Sequence, residues 1–210
     1  MQGESKIDVY IVDDDPSVQG ALKRLIRSHG FSARVFSSAG EFLSAGVAPE
    51  AAGCLLLDVE MPEMSGMELQ AELRRRGMKL AIVFITGHGS IPLSVQAVKD
   101  GAVDFMEKPF EPGMLVAAIK NALARSLRLV AQESDHRRAR KNFDALTARE
   151  RDVFSLVARG LLNKQVGFRL GIGEKTVKVH RARVMAKMQA ATLADLVRLA
   201  DKLKLSAAME

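Results

Sequence analysis

The chain has 210 residues and is 48% hydrophobic, enough to bury two ordinary cores, which excludes a chain disordered throughout. Its formal charge of +6 hides an asymmetry: residues 1–125 carry 13 Lys and Arg against 16 Asp and Glu, whereas residues 126–210 carry 18 against 9. An acidic module joined to one that prefers a polyanion is expected, and the one cysteine, Cys54 in GCLLLD, excludes an internal disulfide and reads as a small apolar group in a reducing compartment.

In chain order, KIDVYIV, SARVF, GCLLLDV, LAIVFIT and VDFMEK read as five strands, most of them near-continuous apolar runs of the kind that parallel strands buried on both faces require. Between the first two, Val18, Ala21, Leu22, Leu25 and Ile26 recur at helical spacing over 16–28. Asp15 is placed to cap this helix, Pro16 suits its first turn and Gly30 follows as a stop. Ser38–Glu41 and Ser65–Glu68 have the spacing of capping boxes opening two further helices. The order is strand and helix repeated five times, so the predicted fold class is a doubly wound five-stranded parallel α/β sheet.

After Glu111 an apolar helical pattern (Met114, Leu115, Ala118, Ile119, Ala122, Leu123) runs into the charge-rich stretch SLRLVAQESDHRRARKNFD, expected to be a linker with some helix over 126–145. A third box, Thr147–Glu150, then opens four helices separated by glycines at 160, 171 and 173, with no strand pattern among them. The predicted domains are therefore 1–125, a linker over 126–145, and an all-α four-helix domain over 146–210.

Chemistry concentrates where the strands end, because parallel sheets collect reactive groups past their carboxyl edges. Asp13 and Asp14 end the first strand, Asp58 the third, Thr86 the fourth and Lys108 the fifth. Carboxylates brought together there repel unless a cation neutralises them, and Mg²⁺ suits hard oxygen ligands that must leave room for water and a phosphoryl oxygen. Asp58, leaving a central strand in LLLDVEMP, is placed to act as a nucleophile on phosphorus, with Thr86 and Lys108 meeting the transferred charge. Asp15 is expected to cap its helix and not to touch the metal.

IVDDD, LLLDVEMPEMSGMEL and FITGHGSIPLSVQAVKDGAVDFMEKPF, spanning residues 5 to about 125, resemble the receiver (CheY-like) domain of two-component response regulators, most of all the FixJ branch. The resemblance implies Asp58 as phospho-acceptor, Asp14 as a direct metal ligand, Asp13 acting through a metal-bound water, and Glu60 as a ligand through its backbone carbonyl. It further implies Thr86 and Phe105 as a switch pair and a cis peptide bond between Lys108 and Pro109. Phe105 departs from the commoner tyrosine, and Glu60 and His88 occupy positions that tune phosphoryl lifetime in the family.

In the second half, residues 174–188 carry five Lys and Arg against one acid, an electrostatic footprint for phosphate. Val177, Val184 and Met188 share a helical face toward the core, with Arg181 at its edge, so Lys178, Val179 and Ala182 project outward as a patch suited to a major groove. LTARERDVFSLVARGLLNKQVGFRLGIGEKTVKVHRARVMAKM resembles the LuxR/NarL-type helix-turn-helix. The resemblance implies a scaffold helix over 163–170 and a recognition helix over 174–188. Lys178 and Val179 would touch base edges, and Lys164, Thr176, Arg183 and Lys187 phosphates. A fourth helix over 192–203 would serve dimerisation, although Leu193, Leu196, Val197, Ala200 and Leu203 fit equally a cover over the module's own core.

The reading is a transcriptional regulator, not an enzyme, whose receiver catalyses its own phosphoryl uptake and loss. A sensor histidine kinase phosphorylates Asp58 with Mg²⁺, receivers pair as a homodimer, and double-stranded promoter DNA is bound, activation with RNA polymerase being the favoured outcome. Two alternatives stay open: a DNA-binding regulator whose receiver works without phosphorylation, and a haloacid-dehalogenase-like phosphohydrolase, since Asp13-x-Asp15-x-Ser17 loosely imitates that nucleophile loop. No apolar run approaches bilayer length and MQGESKIDVY lacks the build of a signal peptide, so no membrane association and a cytoplasmic location are expected.

Overall fold

The computed structural model describes residues 8–87 and 91–203. Its elements run β1 (Asp8–Val12), α1 (Pro16–Ser28), β2 (Ser32–Phe36), α2 (Ala39–Ser44), β3 (Gly53–Asp58), α3 (Gly66–Arg75), β4 (Ala81–Thr86), α4 (Ile91–Lys99), β5 (Asp104–Glu107) and α5 (Pro112–Asp144). Four further helices follow: α6 (Ala148–Ala158), α7 (Asn163–Leu170), α8 (Glu174–Met188) and α9 (Leu193–Lys202). The chain divides into two compact units, 1–131 and 132–210.

The first unit is the expected doubly wound sheet, all parallel, in the order β2-β1-β3-β4-β5. Every residue of β3 and β4 is buried, which accounts for their unbroken apolar runs. One face packs Ile11, Leu56 and Val83 against α1 and α5; the other packs Leu55, Leu57 and Phe84 with Phe42 and Leu69. Each such side chain contributes about 1.5–3 kcal/mol by leaving water. Cys54 is buried in the first of these layers, and burial pushes its thiol pKa well above the ordinary value, in keeping with an apolar role.

Helix starts follow the short-range chemistry. Asp15 caps α1, accepting from Ser17 N at 2.7 Å. The boxes at Ser65–Glu68 and Thr147–Glu150 close in both directions. The one at Ser38 differs: Ser38 accepts from Glu41 N, but the Glu41 carboxylate reaches back to Ser37 N at 2.6 Å, one residue beyond the expected partner.

The stretch expected as a linker lies within α5, which is helical to Asp144. Leu115, Ala118, Ile119, Ala122 and Leu123 face the first core as their spacing predicts, while Met114 is exposed. Ser126, fully buried, donates to the Lys79 carbonyl at 2.6 Å and accepts from Gly53 N at 3.0 Å, so it belongs to the first unit. Ala139 and Phe143 belong to the second core, where the Phe143 ring meets that of Phe154 edge-on at 5.3 Å.

That second core gathers Val153, Phe154 and Val157 of α6, Val166 of α7, Val177, Val184 and Met188 of α8, and Leu196 and Ala200 of α9, with Leu203 just beyond. The last helix therefore covers its own module through Leu196, Ala200 and Leu203, and Leu193 is left exposed. Gly171 closes α7 with φ of 65°, a conformation that costs a residue with a Cβ about 1 kcal/mol or more. Among the described residues no helix is long and apolar enough to cross a membrane.

Candidate functional site

The strand order reverses beside β1, and Val12 pairs with Leu57 across the β1–β3 ladder. The next residues, Asp13 and Asp58, are thereby brought together although 45 positions apart in sequence. In the neighbouring ladders Asp58 pairs with Ile85 and Thr86 with Glu107, so Thr86 and Lys108 arrive at the same edge. Carboxylate oxygens of Asp13, Asp14 and Asp58 all lie within 4.8 Å of one another.

Lys108 Nζ donates to Asp13 Oδ2 at 2.8 Å and stands 3.5 Å from Asp58 Oδ1. Burial lifts the Asp58 carboxyl to about 6; the Lys108 ammonium opposes that rise and the Asp13 carboxylate adds to it. Burial acts to lower Lys108, but its hydrogen bond to Asp13 and the two carboxylate charges leave its pKa above the ordinary value. Asp13 and Asp58 are buried and Asp14 is exposed, so the cluster opens to solvent on one side. Hard oxygens at this spacing, one of them facing water, fit a small divalent cation that keeps part of its hydration.

The Asp15 side chain caps α1, as expected, while its backbone N–H donates to Asp13 Oδ1 at 2.9 Å. The Lys108–Pro109 bond is cis, and Lys108 N donates to the Thr86 carbonyl at 2.7 Å. Thr86 is fully buried; Phe105 is half-buried with its ring 6.1 Å from that of Phe84. Glu60 is exposed two residues beyond Asp58, and His88 lies outside the described residues. Two supporting residues were not foreseen. Gly66 N donates to the Val59 carbonyl at 2.9 Å, and a Cβ on Gly66 would collide with the Asp58 carbonyl. Gln19 donates to the Asp13 carbonyl from the first turn of α1. The glycine in MSGMEL was the available signal for the first; nothing in the sequence pointed to the second.

In the second unit α8 exposes Lys178, Val179 and Ala182 together, with Thr176 and Arg183 beside them, while Val177, Val184 and Met188 are buried. Arg181 is half-buried and donates to Asn163 Oδ1 at 3.0 Å, tying α8 to the start of α7. Lys178 pairs with Glu174 at 3.3 Å, an exposed contact that is easily exchanged for another anion. Lys164 is exposed on α7. Lys187 is exposed too, but it already has an anionic partner within the unit. Its Nζ lies 2.6 Å from Glu150 Oε2 and also donates to the Ala145 carbonyl, because the capping carboxylate of α6 is buried and takes the nearest cation. That hydrogen bond, joined by the one from Thr147 N, holds Glu150 down at about 2.

Residues 9–120 match the response regulator receiver domain family and residues 144–200 the luxR family of bacterial regulatory proteins. The chain is 46% identical over 196 residues to the response regulator protein TodT of Pseudomonas putida, covering 93% of this chain and 86% of that protein. It is 44% identical over 194 residues to the transcriptional regulatory protein FixJ of Azorhizobium caulinodans, 92% of each. Among solved structures, the response regulator StyR superposes with a TM-score of 0.82 at 46% identity, over 94% of this chain and all of that one. Full-length FixJ from B. japonicum gives 0.57 at 38% identity, over 95% and 98%. An acidic pocket at the edge of a parallel sheet, followed by a helical unit with a basic outward helix, together with these matches, places the chain among the FixJ-type response regulators, transcriptional regulators with a receiver domain and a LuxR-type DNA-binding domain.

Proposed function

We propose that Asp58 accepts a phosphoryl group from a sensor histidine kinase and that the modified receiver sets how strongly the second unit holds promoter DNA. The observation that carries this is the convergence of Asp13, Asp14 and Asp58 within 4.8 Å, with Lys108 reaching both Asp13 and Asp58. Asp13, Asp14, Asp58 and the Glu60 carbonyl would hold Mg²⁺, which when bound neutralises the carboxylates and the incoming phosphoryl oxygens. An Asp58 carboxylate oxygen attacks phosphorus as the bond to the donor's leaving group breaks, and Lys108 and the Thr86 hydroxyl meet the transferred charge.

The switch follows from differential contact. Thr86 and Lys108 engage the phosphoryl group in one conformation only, which biases that conformation, and half-buried Phe105 moves inward with Thr86. The exposed apolar residues Ile91, Val95 and Val98 on α4 then supply a surface on which two receivers pair. Two DNA-binding modules so paired address two half-sites, with Lys178 and Val179 at base edges, Ala182 against the groove floor, and Lys164, Thr176 and Arg183 on phosphates. A cytoplasmic location and contact with RNA polymerase belong to the same reading, as does the division into a receiver over 1–125, a connector over 126–145 and a DNA-binding module over 146–210.

The test is intact-mass analysis after incubation with acetyl phosphate and MgCl₂. The wild-type chain gains one phosphoryl mass and Asp58→Ala gains none. A phosphoryl adduct that persists in Asp58→Ala, or none in the wild type, overturns the assignment.

A further inference from the structure

On the second unit, the end of α6 and the solvent face of α7 enclose an open groove of about 760 Å³. Its walls include Arg159 after α6 and Lys164, Gln165, Phe168 and Arg169 of α7. Phe168 is 91% exposed, and Leu162, one residue before α7, is 69% exposed. An aromatic ring held almost wholly in water on the last turn of α7 is unusual in a unit whose other phenylalanines are buried or half-buried. Val166 and Gly167 point the other way, into the packing against α8, where a Cβ on Gly167 would strike the Ile172 carbonyl. Phe168 is therefore not a misplaced core residue. The helix has a full inner face without it.

Three of the lining residues are cationic and none is acidic, and α8 contributes none of them. The groove is thus a surface separate from the recognition helix. An exposed benzyl ring gains nothing from a sugar-phosphate backbone, whereas a ring flanked by cations matches a protein segment that alternates carboxylates with an aliphatic or aromatic side chain. We propose that the groove between α6 and α7 docks an acidic, apolar-bearing segment of a protein partner, with Phe168 as the buried anchor and Arg169 and Arg159 receiving the carboxylates, while Lys164 at the rim stays with the DNA backbone. This deepens the DNA-binding reading by giving that unit a face on which transcription machinery can be held while α8 is engaged.

The experiment uses the full ¹⁵N-labelled chain and two probes: a synthetic peptide of alternating glutamate and leucine or phenylalanine, and a random-sequence 20-bp duplex. Peptide-induced amide shifts are expected at Gly160, Leu161 and Phe168 and not along Lys178–Arg183. Phe168→Ala and Arg169→Glu should each weaken the peptide at least tenfold, and duplex binding by Phe168→Ala should remain at the wild-type level. Because Phe168 is exposed, its loss leaves the fold intact, and an unchanged spectrum elsewhere verifies this. Peptide shifts along α8, no peptide shifts, or a loss of duplex affinity in Phe168→Ala would overturn the proposal, the last by assigning the groove to DNA. A wild-type chain that ignores the duplex yet binds peptide at Phe168 would defeat the DNA-binding reading and leave the groove standing.

Discussion

Replacing Gly66 by alanine probes how tightly the phospho-acceptor is held. The added Cβ would fall against the Asp58 carbonyl and crowd the Leu57 side chain at 3.1 Å. Restoring an ordinary carbon–oxygen approach of ~3.3 Å requires the start of α3 or the end of β3 to yield by roughly 1 Å. Overpacking of this kind costs about 1–3 kcal/mol, which in a unit of this size lowers Tm by roughly 3–10 °C. The functional effect is larger than the stability effect suggests. A displacement of ~1 Å at a reacting atom costs up to about a hundredfold in rate, so Gly66→Ala should take up phosphoryl from acetyl phosphate 10- to 100-fold more slowly (roughly, by the same reasoning). Time-resolved intact mass and a thermal melt on one preparation measure both. Uptake at the wild-type rate with an unshifted melt would show that the contact between α3 and Asp58 does not position the acceptor.

Ser126→Ala leaves Gly53 N and the Lys79 carbonyl without their buried partner, and should lower the urea midpoint of the first unit by an amount equivalent to about 1–3 kcal/mol. Glu150 is held at about 2 in the folded chain against an ordinary 4.5, so its contribution is complete above the ordinary value and disappears as pH falls toward 2; Glu150→Gln should lose stability at neutral pH and show a flatter acid profile over that window by circular dichroism. Arg183→Ala should weaken DNA binding alike on all sequences and reduce the salt slope of log K by about 1, measured by anisotropy between two salt concentrations. Lys187→Ala, whose ammonium is engaged by Glu150, should act chiefly on stability, and a slope change as large as that of Arg183→Ala would show that Lys187 leaves Glu150 for a phosphate.

The sheet was legible because buried parallel strands have few sequences open to them: the runs in β3 and β4 could hardly form anything else. The pocket was legible for a related reason, since parallel topology delivers strand ends to one edge whatever their separation along the chain. Helix starts were legible where the cap is local, as at Asp15, Ser65 and Thr147. What could not be read depends on neighbours distant in sequence. The stretch 126–145 shows no apolar stripe, so some helix could be expected there but not its unbroken run to Asp144, which is aided by close-range pairs such as Arg138 with Asp135 and Arg140 with Asp144 and by the packing of Ala139 and Phe143. Lys187 looked like its neighbours on α8 until Glu150, 37 positions earlier, was placed against it. The glycine in MSGMEL signals a close approach at Gly66, but that the neighbour is the Asp58 carbonyl depends on the fold.

The lone thiol offers an internal clock. Cys54 is sealed between β1 and β4 in the first core, with no accessible surface, so a thiol-specific dye can reach it only when those strands part. Under conditions where closing outpaces modification, the dye rate reports the opening equilibrium of that region directly, without a tag or an engineered label. Any ligand or covalent change that tightens the sheet edge above Cys54 should slow the dye in proportion, converting occupancy of the acidic edge into a simple absorbance trace.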